Sequence, residues 1–177
     1  TLNHWDLPQA LEDRGGWPSR ISTAAFREYA DVVSRHQGDR VKHWITHNEP
    51  WVIAFLGYQS GIFAPGKQSW EDALRAAHHL LVSHGEAVPI IRENSRGCEV
   101  GITLNLTDVQ PTSSGEPDQQ AAGRLDGHVN RWFLDPLYKK RYPEDMLACY
   151  RKLGYLSAEF GDLVQEGDLE AAGEKTD

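Results

Sequence analysis

At 177 residues, 40% of them hydrophobic and 25% charged, the chain is long enough for one sizeable core and has the make-up of an ordinary globular protein, not of a disordered tail. A net charge of −8 argues against a nucleic-acid partner, because such binding rests on clustered Lys and Arg that neutralise phosphates. There is no signal-peptide pattern and no apolar run near the roughly 18 residues of a membrane span, so a cytoplasmic, membrane-free protein is the default expectation, with room for a targeting signal upstream of Thr1.

Thr1–Trp5 reads as the end of a strand, followed by a turn at Gly15-Gly16. From Ser22 or Thr23 to about His36, the apolar positions Phe26, Tyr29, Ala30 and Val33 recur at helical spacing, with Gly38 as the stop. Val41–Thr46 is the next strand. Trp51–Gly66 then reads as a long connection, and connections of that length inside a compact domain usually carry function. Ser69 opens a helix with an acid three residues on, and Leu74, Ala77, Leu81, His84, Val88 and Ile91 form its core stripe. Pro89 is expected to kink that helix or end its regular part, since it cannot donate to the Gly85 carbonyl. Val100–Leu106 is a third strand. The remainder is mainly helical, roughly Gln119–Leu134 and then Pro143 to about Lys152. Strand, helix, strand, helix, strand is the order of repeated βαβ units on a parallel sheet, in a single domain over residues 1–177.

Each strand ends in polar or stacking groups: His4 and Trp5, then Asn48 and Glu49, then Asn105. Parallel α/β folds bind ligands at the carboxyl ends of their strands. An amide, an imidazole, an indole and a carboxylate suit a neutral polyhydroxy ligand, whose hydroxyls need donors and acceptors and whose C–H faces stack on aromatics. A phosphate fits poorly, because no Gly-rich cradle is present. The late acids Glu159, Asp162, Glu166, Asp168, Glu170 and Glu174 read as solvated surface. Cys98 and Cys149 lack metal-ligand spacing and read as isolated thiols. His78, His79 and His84 lie in an apolar helical stripe and read as packed or hydrogen-bonded, with no metal assigned. Trp44, Trp132 and Phe133 read as core, Arg131 as half of a structural ion pair, and Asp6 and Asp135 as structural carboxylates.

Six blocks then carry a resemblance. Thr1-Leu2-Asn3-His4-Trp5-Asp6-Leu7-Pro8-Gln9, Thr46-His47-Asn48-Glu49-Pro50-Trp51, Gly57-Tyr58-Gln59-Ser60-Gly61-Ile62-Phe63-Ala64-Pro65-Gly66, His78-His79-Leu80-Leu81-Val82-Ser83-His84-Gly85, Asn105-Leu106-Thr107 and Asn130-Arg131-Trp132-Phe133-Leu134-Asp135-Pro136-Leu137 closely resemble β-glucosidases of glycoside hydrolase family 1, in the family's order and over nearly the whole chain. Asn3 departs from the aromatic residue usual at its position, and Phe63 stands where some members have His. Asn105-Leu106-Thr107 is also a glycosylation sequon, given little weight because it falls at the barrel mouth.

The resemblance implies a (β/α)8 barrel and retaining hydrolysis of β-glycosides, with a β-glucoside or cello-oligosaccharide as substrate and no cofactor or metal. In that mechanism one carboxylic acid protonates the leaving oxygen and then serves as base, while a second carboxylate attacks the anomeric carbon. Glu49 matches the acid/base, Asn48 the ligand of the sugar 2-hydroxyl, His4 a glycone ligand, Trp5 part of the glycone floor, and Asn105 a residue toward the aglycone. The blocks correspond to strands three to five of the barrel. The nucleophile, carried by the family in an I/V-T-E-N-G segment, has no counterpart in the 177 residues. The expectation is an internal portion of a longer enzyme, inactive alone and with two exposed sheet edges. The alternative is a non-catalytic remnant that binds sugar or a partner; an intact Glu49 favours the first.

Overall fold

The computed structural model describes residues 1–156 and 160–177, the Asp162 side chain apart. In chain order the elements are α1 (Gln9–Glu12), α2 (Arg20–Gln37), β1 (His43–Asn48), a π-helical stretch (Val52–Gln59), α3 (Trp70–Asn94), β2 (Glu99–Thr103), α4 (Glu116–Asp126), a second π-helical stretch (Gly127–Arg131), α5 (Trp132–Lys139), α6 (Glu144–Lys152), α7 (Phe160–Leu163) and α8 (Asp168–Ala172). β1 and β2 pair in parallel, with His43 opposite Glu99, Trp44 opposite Val100 and Ile45 opposite Gly101. The chain start runs parallel on the other side of β1: Leu2 and Asn3 amides donate to the Ile45 and Thr46 carbonyls at 2.8 and 3.0 Å, and the Asn48 amide returns to Asn3 at 2.9 Å. At the far side of β2, the Asp177 amide donates to the Val100 carbonyl at 3.1 Å. Three neighbouring parallel segments are thus joined through helices α2 and α3, as the βαβ reading requires.

α3 is the centre of the helical layer. Ser69 caps it, its hydroxyl accepting from the Asp72 amide at 3.1 Å, and fifteen of its 25 residues are buried. Pro89 does not end it. The ring sits at an exposed position, where the Gly85 carbonyl loses one bond, and the helix continues to Asn94. α2 begins at Arg20 behind a Ser19 cap, two residues earlier than the apolar spacing suggests. The reason is that Ser22 and Thr23 are inside the helix, with hydroxyls that donate to the Gly16 and His79 carbonyls. Gly38 follows α2 as expected, yet its φ is −65°. Space requires the glycine there, since a Cβ would lie 2.6 Å from the Asn94 carbonyl.

Other boundaries move. β1 sits two residues later than read, and β2 stops at Thr103, where pairing with β1 ends. The supposed loop after Pro50 is ordered as wide helical turns, because Val52, Ile53, Ala54, Phe55 and Tyr58 are all buried, and the open, extended path would leave them in water. The helix read as Gln119–Leu134 runs from Glu116 to Lys139 in three pieces. It changes to wide turns at Gly127, where a side chain would collide with Met146.

Trp44, Trp132 and Phe133 are core residues, and both cysteines are free thiols. Arg131 grips Asp145 and Asp126 at 2.7 Å each, and Asp135 pairs with Lys139 at 2.8 Å. Asp6 contributes differently from expectation: its backbone carbonyl accepts from the Asn3 side chain at 2.7 Å, while its exposed carboxylate has no partner among the described residues. Asp168 overturns the surface reading. It is 6% exposed, bonded to Arg20 at 2.6 Å and to His78 at 2.9 Å. A buried carboxylate is tolerated because these donors replace its water. Glu166 and Glu170 are exposed; Glu159 and the Asp162 side chain lie outside the described residues.

Candidate active site at the carboxyl end of β1

Glu49 follows β1 directly and has φ +47°, a left-handed backbone that costs an ordinary side chain about 1–2 kcal/mol. Its amide donates to the Thr103 carbonyl at 2.9 Å, so the turn out of β1 stays tied to β2. Asn48, opposite Thr103, and Glu49 are both half-buried. The Glu49 carboxylate has no hydrogen-bond or ion-pair partner among the described residues. Backbone strain and an uncommitted carboxylate thus fall on the same residue.

Trp5 is the second left-handed residue at this end, with φ +80°. Its indole Nε1–H donates to the Asn48 carbonyl at 3.2 Å. Its ring meets His4 edge-on at 5.2 Å and Phe63 at 5.5 Å between centroids. Asn3 bridges to His47, so the chain start brings Trp5 against β1, with His4 next to it. Trp5, Asn48 and Glu49 are therefore joined by direct bonds or by adjacency in the chain. Asn105, half-buried, lies two residues beyond β2 and shares no bond with them.

What fixes the segment after β2 is Asn130, whose role sequence reasoning passed over. Its side-chain oxygen accepts from the Thr107 amide at 2.9 Å while its amide donates to the Thr107 carbonyl at 2.8 Å. Asp126 orients that amide at 2.8 Å. Asp126 and Asn130, four residues apart, are the sequence signal, since such spacing puts both on one helix face.

Below the strand end the polar groups are buried. His78 bonds Tyr142 and Asp168, His79 bonds the Trp17 carbonyl, and His84 bonds Thr46, each at 2.7–2.9 Å. These histidines are hydrogen-bonded packing residues, as read. Burial lowers His79 and His84 to about 4 and takes His47 well below its usual range, helped by the nearby His84. They are neutral near pH 7. Among the described residues no cluster of His, Cys, Asp and Glu is arranged to hold a metal ion, and no helix is long and apolar enough to cross a membrane.

This arrangement has close counterparts. Over 154 residues the chain is 46% identical to beta-glucosidase A of Acetivibrio thermocellus, an alignment covering 87% of this chain and 34% of that protein. The chain spans roughly a third of the length of the curated relatives it matches. Among solved structures, the AHE enzyme from Alicyclobacillus herbarius superposes with a TM-score of 0.93 at 42% identity, covering 99% of this chain and 39% of that one. The beta-glucosidase from Thermotoga maritima in complex with glucoimidazole superposes with a TM-score of 0.88 at 39% identity, over 99% and 38%. Such agreement at this identity makes the parallel strands and their helices part of a (β/α)8 barrel. The model of Glycosyl hydrolase family 1 matches residues 1–172. With sequence and fold agreeing, the chain belongs to glycosyl hydrolase family 1.

Proposed function

We propose that residues 1–177 form the central portion of one (β/α)8 domain of a retaining β-glucosidase, and that Glu49 is its general acid/base. The observation that carries the reading is the Glu49 carboxylate, unpaired among the described residues, at the strained carboxyl end of a parallel strand. In the first step Glu49 donates its proton to the glycosidic oxygen as the bond to the aglycone breaks. In the second, as carboxylate, it takes a proton from the water that releases the sugar. Asn48 binds the 2-hydroxyl, His4 and Trp5 line the glycone side, and Asn105 faces the aglycone. The neutral, aromatic character of these groups supports a sugar, and the relatives named beta-glucosidase, with glucoimidazole bound in one neighbour, support a β-glucoside or cello-oligosaccharide. The attacking carboxylate has no counterpart in the 177 residues, so the isolated chain is inactive and needs that group from elsewhere.

Kinetics of the full-length protein test the role. Glu49→Ala is expected to lower kcat for an alkyl β-glucoside by about 10²–10⁴-fold. The loss for a dinitrophenyl β-glucoside, whose leaving group needs little protonation, is expected to be much smaller in the bond-breaking step. Equal losses on that step would remove Glu49 from the acid role. The purified 177-residue chain is expected to release no nitrophenol from its β-glucoside.

A further inference from the structure

We propose that Ser83 and His84 of α3 are positioning residues for Glu49: they hold a one-residue bulge in β1 that sets which way Asn48 and Glu49 face. The proposal rests on the reading of Glu49 just given. Ile45 lies opposite Gly101 and Asn48 opposite Thr103, so three steps on β1 match two on β2. An inserted residue of this kind reverses the alternation of side chains beyond it. Thr46 and His47 are consecutive, and a regular strand would send them to opposite faces. Instead both are fully buried, and both reach α3.

The two contacts are made by adjacent helix residues. His84 Nδ1 lies 2.7 Å from Thr46 Oγ1, and Ser83 Oγ lies 2.9 Å from His47 Nε2. The Thr46 hydroxyl donates onward to the Gly101 carbonyl at 3.3 Å, which leaves it to accept from His84 Nδ1–H. The Ser83 hydroxyl lies 2.9 Å from both the Leu80 carbonyl and His47 Nε2, and His47 Nδ1 faces the Asn3 side-chain oxygen at 3.4 Å. One relay thus joins α3, β1 and β2 just before the bulge ends. Burial keeps the His84 imidazole neutral near pH 7. If the bulge is lost, β1 slips by one residue and Asn48 and Glu49 exchange faces.

The test is leaving-group dependence in the full-length protein. Ser83→Ala and His84→Leu are expected to lower kcat for an alkyl β-glucoside about tenfold more than for a dinitrophenyl β-glucoside, since small misplacement of a catalytic group costs up to about 100-fold. His84→Asn, which retains a donor where Nδ1 sits, is expected to recover most of that loss. Equal losses on both substrates, or His84→Asn falling as far as His84→Leu, would overturn the proposal. Should the helix variants not fold, isosteric Thr46→Val removes the same bond from the strand side and must show the same split. Glu49→Ala is run alongside. No split there sinks the acid/base reading and this proposal together, whereas a split confined to Glu49→Ala sinks the positioning role alone.

Discussion

The amide of Glu49 donates to the carbonyl of Thr103 at 2.9 Å, one residue past the last registered pair of β1 and β2. That bond holds Glu49 in its left-handed conformation at φ +47°. Glycine adopts this backbone without steric cost, so Glu49→Gly should be more stable than Glu49→Ala by about 1 kcal/mol. Both lack the carboxylate, which isolates the backbone effect. Urea unfolding of the two variants measures it, and equal midpoints would mean that the turn stores no strain.

Asp168 supplies a second prediction. Burial alone would raise its pKa, but bonds from His78, Arg20 and the Gln165 amide hold it well below the usual carboxylate range. Its ionisation therefore stabilises the fold fully above about pH 4, and that contribution is lost as pH falls through the lower folded value. Asp168→Asn should cost about 3 kcal/mol at pH 7, with the gap to the wild type closing below pH 4. Urea midpoints from pH 7 down to 2 follow this. A constant gap would show that the charge contributes nothing.

The histidines act in the same direction at higher pH. His79, His84 and His128 are lowered to about 4 by burial, and His47 lies well below its usual range. Unfolded histidines titrate near 6.5, so between about pH 4 and 6.5 the unfolded chain takes up protons that the folded chain excludes. Stability should rise with pH across this window and level off above it, by up to about 1.4 kcal/mol per pH unit for each histidine. His79→Asn, which keeps a donor for the Trp17 carbonyl, should reduce the slope by one proton. An unchanged slope would contradict the buried, neutral assignment.

Two glycines give opposite forecasts for the same substitution. A Cβ on Gly85 would collide with the Ala171 backbone, while one on Gly123 of α4 would meet nothing within 4 Å. Gly85→Ala should destabilise by about 1–3 kcal/mol and expose the segment around α8 to proteolysis. Gly123→Ala should stabilise by about 0.5–1 kcal/mol. Limited proteolysis and thermal unfolding separate the two.

The order of strands and helices, the core aromatics and the strand-end position of Glu49 were legible in the residues, because periodicity and termination are local properties. Asp168 was not. Its neighbours by sequence are exposed acids, and its partners Arg20 and His78 are 148 and 90 residues away. The wide turns after Pro50 escaped for a related reason: Gly57, Tyr58 and Gly61 look like a loop until the burial of Val52–Phe55 is known. The shared direction of Thr46 and His47 was not legible either, since it takes the bulge between Ile45 and Asn48 to bring both to the same helix. Long-range pairing decides all three, and no short window contains it.

Pro89 sits on one of the few open stretches of α3, whose exposed residues are Glu71, Pro89 and Glu93. A saturation library should therefore find charged replacements accepted at those three positions and rejected through the run Ala76–Gly85, buried without a break. Seen as an evolutionary constraint, the helix that supports the site has almost no neutral surface on which to drift.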